Sequence, residues 1–271
     1  MLAFPSLSFL HRARISFRKM ATNGPTMSQK KLTFFWDIDN SMYSRSLQIH
    51  DKMGVLIDKY FRTHLELSQE DATDLHQRYY KDYGLAIEGL VRHHRVDPLE
   101  YNRKVDDALP LDDIIKPDPM LRKLLEDIDR EKVKLWLFTN AYVTHGRRVV
   151  KLLGVEDLFE GITYCDYGAE RLLCKPAPEM FEKAMREADA GDVEDCYFVG
   201  TNGSDHTPQK QLANANLDDS ALNIKAAKTL GWKSAHLVEP GANAPPEPLG
   251  DHQIANLEEI RKVFPTVFKN S

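Results

Sequence analysis

The 271-residue chain has little of several features that define other classes of protein. Its three cysteines, Cys165, Cys174 and Cys196, form no CxxC pair, so a disulfide framework is not expected and a reducing compartment fits. No apolar run approaches the roughly 18–20 residues that cross a membrane. The net charge is −5, and a chain without basic excess is not expected to bind nucleic-acid polymers.

Acidic residues are also missing from the N-terminus, where six Lys and Arg residues precede Asp37. A segment rich in Arg and Ser that lacks acids resembles a mitochondrial transit peptide. The alternative is a start codon assigned too far upstream, because Met20 and Met27 are both available. We expect residues 1–30 to be disordered or targeting sequence, outside the fold. If this segment has no targeting role, we expect a cytoplasmic protein that could also occur in the nucleus. If it is a transit peptide, we expect a mitochondrial protein.

What the chain does have, from Leu32 onward, is an alternation of short apolar runs and helical patterns. Two of the helical patterns end at Gly154 and Gly231, the residue type favoured just after a helix. This alternation predicts an α/β fold, a Rossmann-like parallel sheet with helices on both faces, in which ligands bind at the carboxyl ends of the strands. The runs predicted as strands are residues 32–36, 133–138, 162–165, 197–199 and 234–238.

A long stretch between the first two predicted strands, residues 46–114, has only helical spacing of apolar residues. It is too long for a simple crossover, so we interpret it as an inserted helical cap domain that lies over the strand ends as a lid. The catalytic core is then predicted to comprise residues 31–45 and 115–271. The length of the chain suffices for both units.

Four groups of polar residues follow the predicted strands. Asp37 and Asp39, two residues apart at a strand end, should point to the same side and could act as nucleophile and proton carrier. The other groups are Thr139 with Asn140, Lys175 before a proline, and Asp218 with Asp219. Each of the four groups also has an ordinary structural alternative. The Asp pairs and Thr-Asn could cap a helix or a turn, and the lysine could be a solvated side chain.

The order of these groups, DxDxS, strand-Thr-Asn, Lys-Pro and Asp-Asp, resembles the haloacid dehalogenase (HAD) superfamily over residues 32–239. The stretches WDIDNSMY, LWLFTNA and LFEGITYCDY are similar to those of fungal pyrimidine 5′-nucleotidases, which are phosphatases with a helical cap. The resemblance implies a phosphatase of nucleoside 5′-monophosphates that prefers pyrimidines. Hydrolysis of another small phosphomonoester, such as lysophosphatidic acid, a pyridine mononucleotide or a sugar phosphate, is the alternative within the same chemistry.

The resemblance also implies a role for each candidate. Asp37 would attack phosphorus and form an aspartyl-phosphate, while Asp39 would protonate the leaving oxygen and later take a proton from water. Because dehalogenation needs no acid at that position, Asp39 favours a phosphatase. The phosphoryl oxygens would be bound by Thr139, Asn140 and Lys175, and Mg²⁺ would be held by the Asp37 carboxylate, the Asp39 backbone carbonyl, Asp219 and, in support, Asp218.

The cap is expected to select the substrate, a small nucleotide, in a protein that is a monomer or a weak dimer. Aromatic rings and imidazoles can stack on a base or hydrogen-bond to it. Packing between the cap helices is the alternative for the same side chains. The candidates are Tyr79, Tyr80, Tyr83, His93 and His94.

One polar, patternless run, residues 200–217, interrupts this pattern. Joining Val199 to Asp218 would give YFVDDSALNIKAAK, which is the uninterrupted pattern of the family that the chain resembles. The run begins with Gly-Thr and has Ala-Asn near its end, and both pairs are compatible with a retained intron. We expect the run to loop outward at little entropic cost and to weaken Mg²⁺ binding, which leaves a weakly active or regulatory protein as a further alternative. Sequencing of spliced transcripts tests the intron hypothesis.

Overall fold

The computed structural model describes residues 30–201, 219–241 and 245–269. The expectations for the N-terminal segment, for residues 202–217 of the insertion and for Asp218 therefore concern residues outside the described ranges. Within those ranges, no helix is both long and apolar enough to cross a membrane.

The strands in the described part of the chain form one sheet, in the order β3-β2-β1-β4-β5-β6. Every pairing between neighbouring strands is parallel, which confirms the predicted α/β class. The sixth strand was not predicted, since three residues are too few to form a recognisable pattern. The bounds are β1 Leu32–Trp36, β2 Val133–Phe138, β3 Gly161–Thr163, β4 Cys196–Thr201, β5 Lys233–Leu237 and β6 His252–Ile254.

The bounds of β4 correct the prediction in a way that matters for the site. The sequence predicted a strand that ends at Val199, whereas β4 continues through Gly200 and Thr201, which pair with His236 and Leu237 of β5. Strand pairing uses backbone groups, so a glycine and a threonine can extend a strand whose apolar pattern has ended. The first two residues of the predicted insertion are therefore part of the sheet.

Smaller corrections concern β3 and β5. The strand predicted over residues 162–165 is Gly161–Thr163, and the one predicted over 234–238 is Lys233–Leu237. Both shifts are one or two residues, the usual uncertainty of element ends.

Helices cover both faces of the sheet. Alternate residues of β1 point to opposite faces: Phe34 and Trp36 join one buried cluster, and Phe35 joins the other, where its ring stacks on Trp232 at 4.4 Å. Side chains of α6, α7 and α10 belong to the first cluster, and those of α8 and α9 to the second. The bounds are α6 Pro119–Glu126, α7 Val143–Leu152, α8 Pro178–Glu187, α9 Asp219–Thr229 and α10 Ile260–Val263.

The segment between β1 and α6 is helical throughout its regular structure, as its sequence pattern predicts. Helices α1 to α4 share a separate buried cluster, to which Cys165, Tyr167 and Leu172 of the core also contribute. The cap therefore packs on the loop that follows β3 and precedes Lys175. The bounds are α1 Ile49–His64, α2 Gln69–Tyr83, α3 Ala86–His93, α4 Pro98–Lys104 and α5 Leu111–Ile114.

Candidate active site

The carboxyl end of β1 leads into a tight turn that carries both acids. Ile38, between Asp37 and Asp39, is completely buried in the core, so its two neighbours face away from that cluster. The amide of Ser41 donates to the Ile38 carbonyl at 3.1 Å, and Asn40 has φ 55°, a left-handed conformation that asparagine tolerates. The turn thus places two carboxylates at the edge of the sheet where ligands bind in this class of fold.

Asp37 forms a buried ion pair with Lys175. The Lys175 Nζ lies 2.8 Å from Asp37 Oδ1, and the two side chains are 1% and 9% exposed. The Ile38 amide donates to the same oxygen at 2.9 Å. Burial raises the pKa of Asp37, although the charge and hydrogen bond of Lys175 oppose the shift. The charged form of this carboxyl therefore depends on cations placed beside it.

Lys175 is itself held tightly, so the alternative of a solvated lysine is wrong. Its Nζ donates to the Phe138 carbonyl at 2.7 Å and lies 4.9 Å from the centre of the Phe138 ring. Its backbone is fixed by Asn140, whose Nδ2 donates to the Lys175 carbonyl at 2.9 Å and whose Oδ1 accepts from the Lys175 amide at 2.7 Å. The structure thus gives Asn140 a positioning contact with Lys175 that the sequence analysis did not predict.

Thr139 lies where β2 ends, next to β1. Its hydroxyl oxygen accepts a hydrogen bond from the Ala141 amide at 3.0 Å, and the residue is 1% exposed. This is a local turn contact and not a helix N-cap, since α7 begins at Val143 and its N-cap residue is Tyr142. The predicted role of Thr139 in binding a phosphoryl oxygen stays a prediction.

Asp39 is held by two residues that the sequence analysis missed. The Tyr43 hydroxyl donates to Asp39 Oδ1 at 2.7 Å, and the His145 Nε2 lies 2.7 Å from the same oxygen. Burial alone would raise the pKa of Asp39, but His145 and Tyr43 together lower it. Burial likewise opposes protonation of His145, yet the Asp39 carboxylate raises the pKa of this imidazole to about 9.

Local sequence carries a signal for one of the two missed residues. Tyr43 lies four residues after Asp39, within the WDIDNSMY stretch that identified the site, and could have been found by asking what holds the second carboxylate. His145 lies in the first turn of α7, where it looks like one polar position of an amphipathic helix. Only the fold brings it to Asp39.

Asp106 is a further buried carboxyl close to this group. It is 3% exposed, and its Oδ2 has no hydrogen-bond partner among the described residues. Burial raises its pKa from 3.8 to about 7, and repulsion from Asp39 and Asp107 adds to the shift while His145 opposes it.

Replacing Asp106 with asparagine should therefore stabilise the protein at neutral and alkaline pH. Because the folded pKa is raised, the contribution of Asp106 is most favourable below 3.8 and is lost as the pH rises to about 7. The stability advantage of Asp106→Asn over wild type should grow by about 2–3 kcal/mol between pH 5 and pH 8, at about 1.4 kcal/mol per pKa unit. Urea unfolding at the two pH values measures it, with the exposed Asp113→Asn as control. An advantage that stays constant would contradict the assignment.

The described residues fit a Mg²⁺ ion only in part. They supply the Asp37 carboxylate and the Asp39 carbonyl, but no group of three or more His, Cys, Asp or Glu side chains within the described ranges is arranged to hold a metal. Trp36 pairs with Val199, so the next residues, Asp37 and Gly200, are neighbours across β1 and β4. A glycine thus stands beside Asp37 where the uninterrupted pattern would place an acid.

The two acids predicted to complete the metal site are not brought to Asp37 by any described contact. Asp218 lies outside the described residues, and of Asp219 the structure describes only that it begins α9. Thr201, beside Gly200, is buried, and its hydroxyl donates to the Leu237 carbonyl at 3.0 Å. The Mg²⁺ site therefore stays a prediction for this chain.

The cap candidates bond mainly to one another. The Tyr79 hydroxyl lies 2.9 Å from His94 Nε2, and the Tyr83 hydroxyl lies 2.6 Å from His93 Nε2. Tyr79 is 6% exposed, and a Cβ on Gly89 would lie 2.1 Å from its ring, so the ring packs closely against the backbone of α3. This placement corrects the prediction for Tyr79 in favour of the packing alternative.

The remaining cap candidate, Tyr80, lies edge-on to His50 with 6.4 Å between ring centres. For Tyr80, Tyr83 and the two histidines, contact with a substrate stays a prediction.

A parallel sheet with a cap inserted after β1, and an aspartate pair at the end of that strand facing a buried lysine, defines a HAD-type hydrolase. The chain belongs to the haloacid dehalogenase-like hydrolase family, whose sequence model matches residues 32–207. It is 34% identical over 236 residues to phosphate metabolism protein 8 of Saccharomyces cerevisiae. The matched region covers 84% of this chain and 68% of the yeast protein.

Solved structures agree on the fold. A HAD phosphatase from Thermococcus onnurineus aligns with a TM-score of 0.53 at 16% identity, over 86% of this chain and 97% of its own. The HAD hydrolase YfnB of Bacillus subtilis, bound to magnesium, aligns with a TM-score of 0.53 at 13% identity, over 87% and 99% of the two chains. At these identities the likeness establishes the architecture and leaves the substrate open.

Proposed function

We propose that the protein is a Mg²⁺-dependent phosphatase that hydrolyses nucleoside 5′-monophosphates, with a preference for pyrimidines, through an aspartyl-phosphate on Asp37. The observation that carries the proposal is the buried Asp37–Lys175 pair, with Asp39 two residues further on. Further support comes from the similarity to a yeast protein of phosphate metabolism. The preference for pyrimidines rests on the resemblance of the motifs alone.

The residues of this chain supply most of the proposed chemistry. Lys175 neutralises part of the charge on Asp37 and on an incoming phosphoryl group, because its ammonium already lies 2.8 Å from the Asp37 carboxylate. Asp39 carries the proton to the leaving oxygen. Its pKa is lowered in the free protein, and a phosphate dianion placed beside it would raise that pKa and so favour the protonated form.

Asp37, the Asp39 carbonyl and the acids Asp218 and Asp219 would hold the metal ion. When bound, Mg²⁺ screens the repulsion between the nucleophilic carboxylate and the phosphate.

The proposal predicts phosphate release from UMP and CMP that depends on a divalent cation. Chelation with EDTA should abolish the release and added Mg²⁺ should restore it, since Lys175 alone cannot balance a carboxylate and a phosphate dianion. Colorimetric phosphate release over a panel of phosphomonoesters measures both the activity and the substrate. No release from UMP or CMP, with release from a lysophospholipid or a sugar phosphate, would favour the alternative substrates.

A second candidate function is a regulatory protein that binds nucleotide and hydrolyses it slowly or not at all. The observation in its favour is Gly200, which stands beside Asp37 in place of an acid. Calorimetric titration with UMP, in parallel with the hydrolysis assay, separates the two. Binding without turnover supports the regulatory function.

A further inference from the structure

Among the described residues, one oxygen of the Asp39 carboxylate makes both of its side-chain hydrogen bonds. Both the Tyr43 hydroxyl and the His145 Nε2 lie 2.7 Å from Oδ1, and no hydrogen bond to Oδ2 is found among the described residues. The Asp39 side chain is 31% exposed, whereas that of His145 is completely buried. The carboxylate is thus anchored from its buried side, and its second oxygen lies on the accessible side.

The two anchoring residues come from different elements that are fixed by the core. Tyr43, 7% exposed, follows the turn after β1, and His145 lies in the first turn of α7. A Cβ on Gly146 would lie 3.1 Å from Ile38 Cδ1 and 3.0 Å from Ile162 Cδ1. The glycine therefore lets the start of α7 approach Ile38 closely, and this approach brings His145 within reach of Asp39.

We propose that Tyr43 and His145 are positioning residues that hold Asp39 Oδ1, so that Oδ2 exchanges the proton of the reaction. The inference rests on the proposed phosphatase function. In the first half-reaction an oxygen of Asp37 bonds to phosphorus, the bond from phosphorus to the leaving oxygen breaks, and that oxygen takes the proton from Oδ2 and departs as an alcohol. In the second, water bonds to phosphorus and gives a proton to Oδ2, while the bond to Asp37 breaks and phosphate is released.

The dependence on the leaving group distinguishes positioning from a general structural role. A nucleoside 5′-hydroxyl is a poor leaving group without a proton, whereas 4-nitrophenolate leaves readily as the anion. Misplacing Oδ2 should therefore slow the departure of the nucleoside far more than that of the nitrophenol. A loss of folded protein would lower both rates equally.

The experiment compares kcat/KM for UMP and for 4-nitrophenyl phosphate in the full chain and its variants. Tyr43→Phe and His145→Leu should each lower the value for UMP by about 10–100-fold, as expected when a proton carrier is misplaced. The value for the aryl ester should fall at least about tenfold less, since it needs the proton less. His145→Gln keeps an amide donor at the position of Nε2 and should recover part of the lost activity toward UMP.

Tyr197→Phe is the matched control. Tyr197 is 4% exposed on β4, and its hydroxyl accepts from Lys233 Nζ at 3.1 Å, so the variant removes a buried hydroxyl away from Asp39. It should leave the ratio of the two kcat/KM values unchanged. Equal losses on both substrates in the Tyr43 and His145 variants, or no loss at all, would overturn the positioning role.

A failure of the proposed phosphatase function would give a different result in the same assay, and it would appear in the wild-type chain. If the wild-type chain releases phosphate from neither ester, the phosphatase assignment fails and the positioning inference fails with it. If it cleaves the aryl ester but not UMP, only the nucleotide is wrong, and glycerol phosphate replaces UMP as the alkyl ester in the same comparison.

Discussion

Replacing Asp37 with asparagine should lower phosphate release from UMP by at least about 10⁴-fold, because the proposed reaction needs a carboxylate oxygen that bonds to phosphorus. Asparagine keeps the shape of the side chain, and a hydrogen-bond acceptor remains beside Lys175 Nζ. The loss should therefore appear in kcat while the thermal unfolding transition remains cooperative. Steady-state phosphate release and thermal unfolding measure the two quantities.

The covalent intermediate gives a second readout for the same variant. Wild-type protein quenched in acid during turnover of a labelled phosphate ester should carry label that hydroxylamine removes, and Asp37→Asn should carry none. Asp189→Asn is the control, because Asp189 is exposed, pairs with Lys30 and has a φ of 46° that asparagine tolerates. More than about a tenth of wild-type activity in Asp37→Asn would exclude Asp37 as the nucleophile.

The sheet and the position of Asp37 at its edge could be predicted because their signals are local. Apolar runs such as 133–138 alternate with helical patterns, and this alternation determines a parallel sheet. Asp37 follows the first run directly, so its place at the edge of the sheet follows from the order of residues along the chain. For the same reason the helical insertion after β1 was predictable.

The contacts of these residues could not be predicted, because they join positions far apart in sequence. Taken alone, the lysine left a solvated side chain open as an alternative, yet the fold buries Lys175 against Asp37. The sequence singled out neither His145 nor Asp106, because only tertiary packing brings them near Asp39. The end of β4 was missed for another reason: backbone pairing with β5 continues beyond the last apolar side chain.

Removal of residues 200–217 should raise Mg²⁺-dependent hydrolysis of UMP by about 10²-fold, since a misplacement of about 1 Å at a reacting centre costs about that much. In the present chain Gly200 is the neighbour of Asp37 on β4. The deletion joins Val199 to Asp218 and puts Asp218 in the place of Gly200. It also puts Asp219 in the place of Thr201, whose backbone pairs with Leu237. The dissociation constant for Mg²⁺, from calorimetry, and kcat/KM for UMP measure the effect.

Two matched variants separate the missing acids from the presence of the run. Deletion of residues 202–217 alone removes most of the run but leaves Gly200 and Thr201 in the strand, so the acids stay two residues beyond the register and little activity should be gained. The Gly200→Asp and Thr201→Asp double variant restores the acids and keeps the run. Its gain should equal that of the full deletion if the missing acids alone limit activity, because both chains place a Cβ at position 200, 3.2 Å from Phe198 Cζ and 3.4 Å from Ile224 Cδ1.

The three variants together decide how the run acts. A large gain in the full deletion, with little in the shorter one, means that strand register holds the acids beside Asp37. Transcripts that retain the run would then encode a protein with a weakened metal site. Equal gains in both deletions would mean that the run itself obstructs the site. Equal activity in all the chains would mean that Asp218 and Asp219 already reach Asp37 across the run, and the hypothesis of weakened Mg²⁺ binding would be wrong.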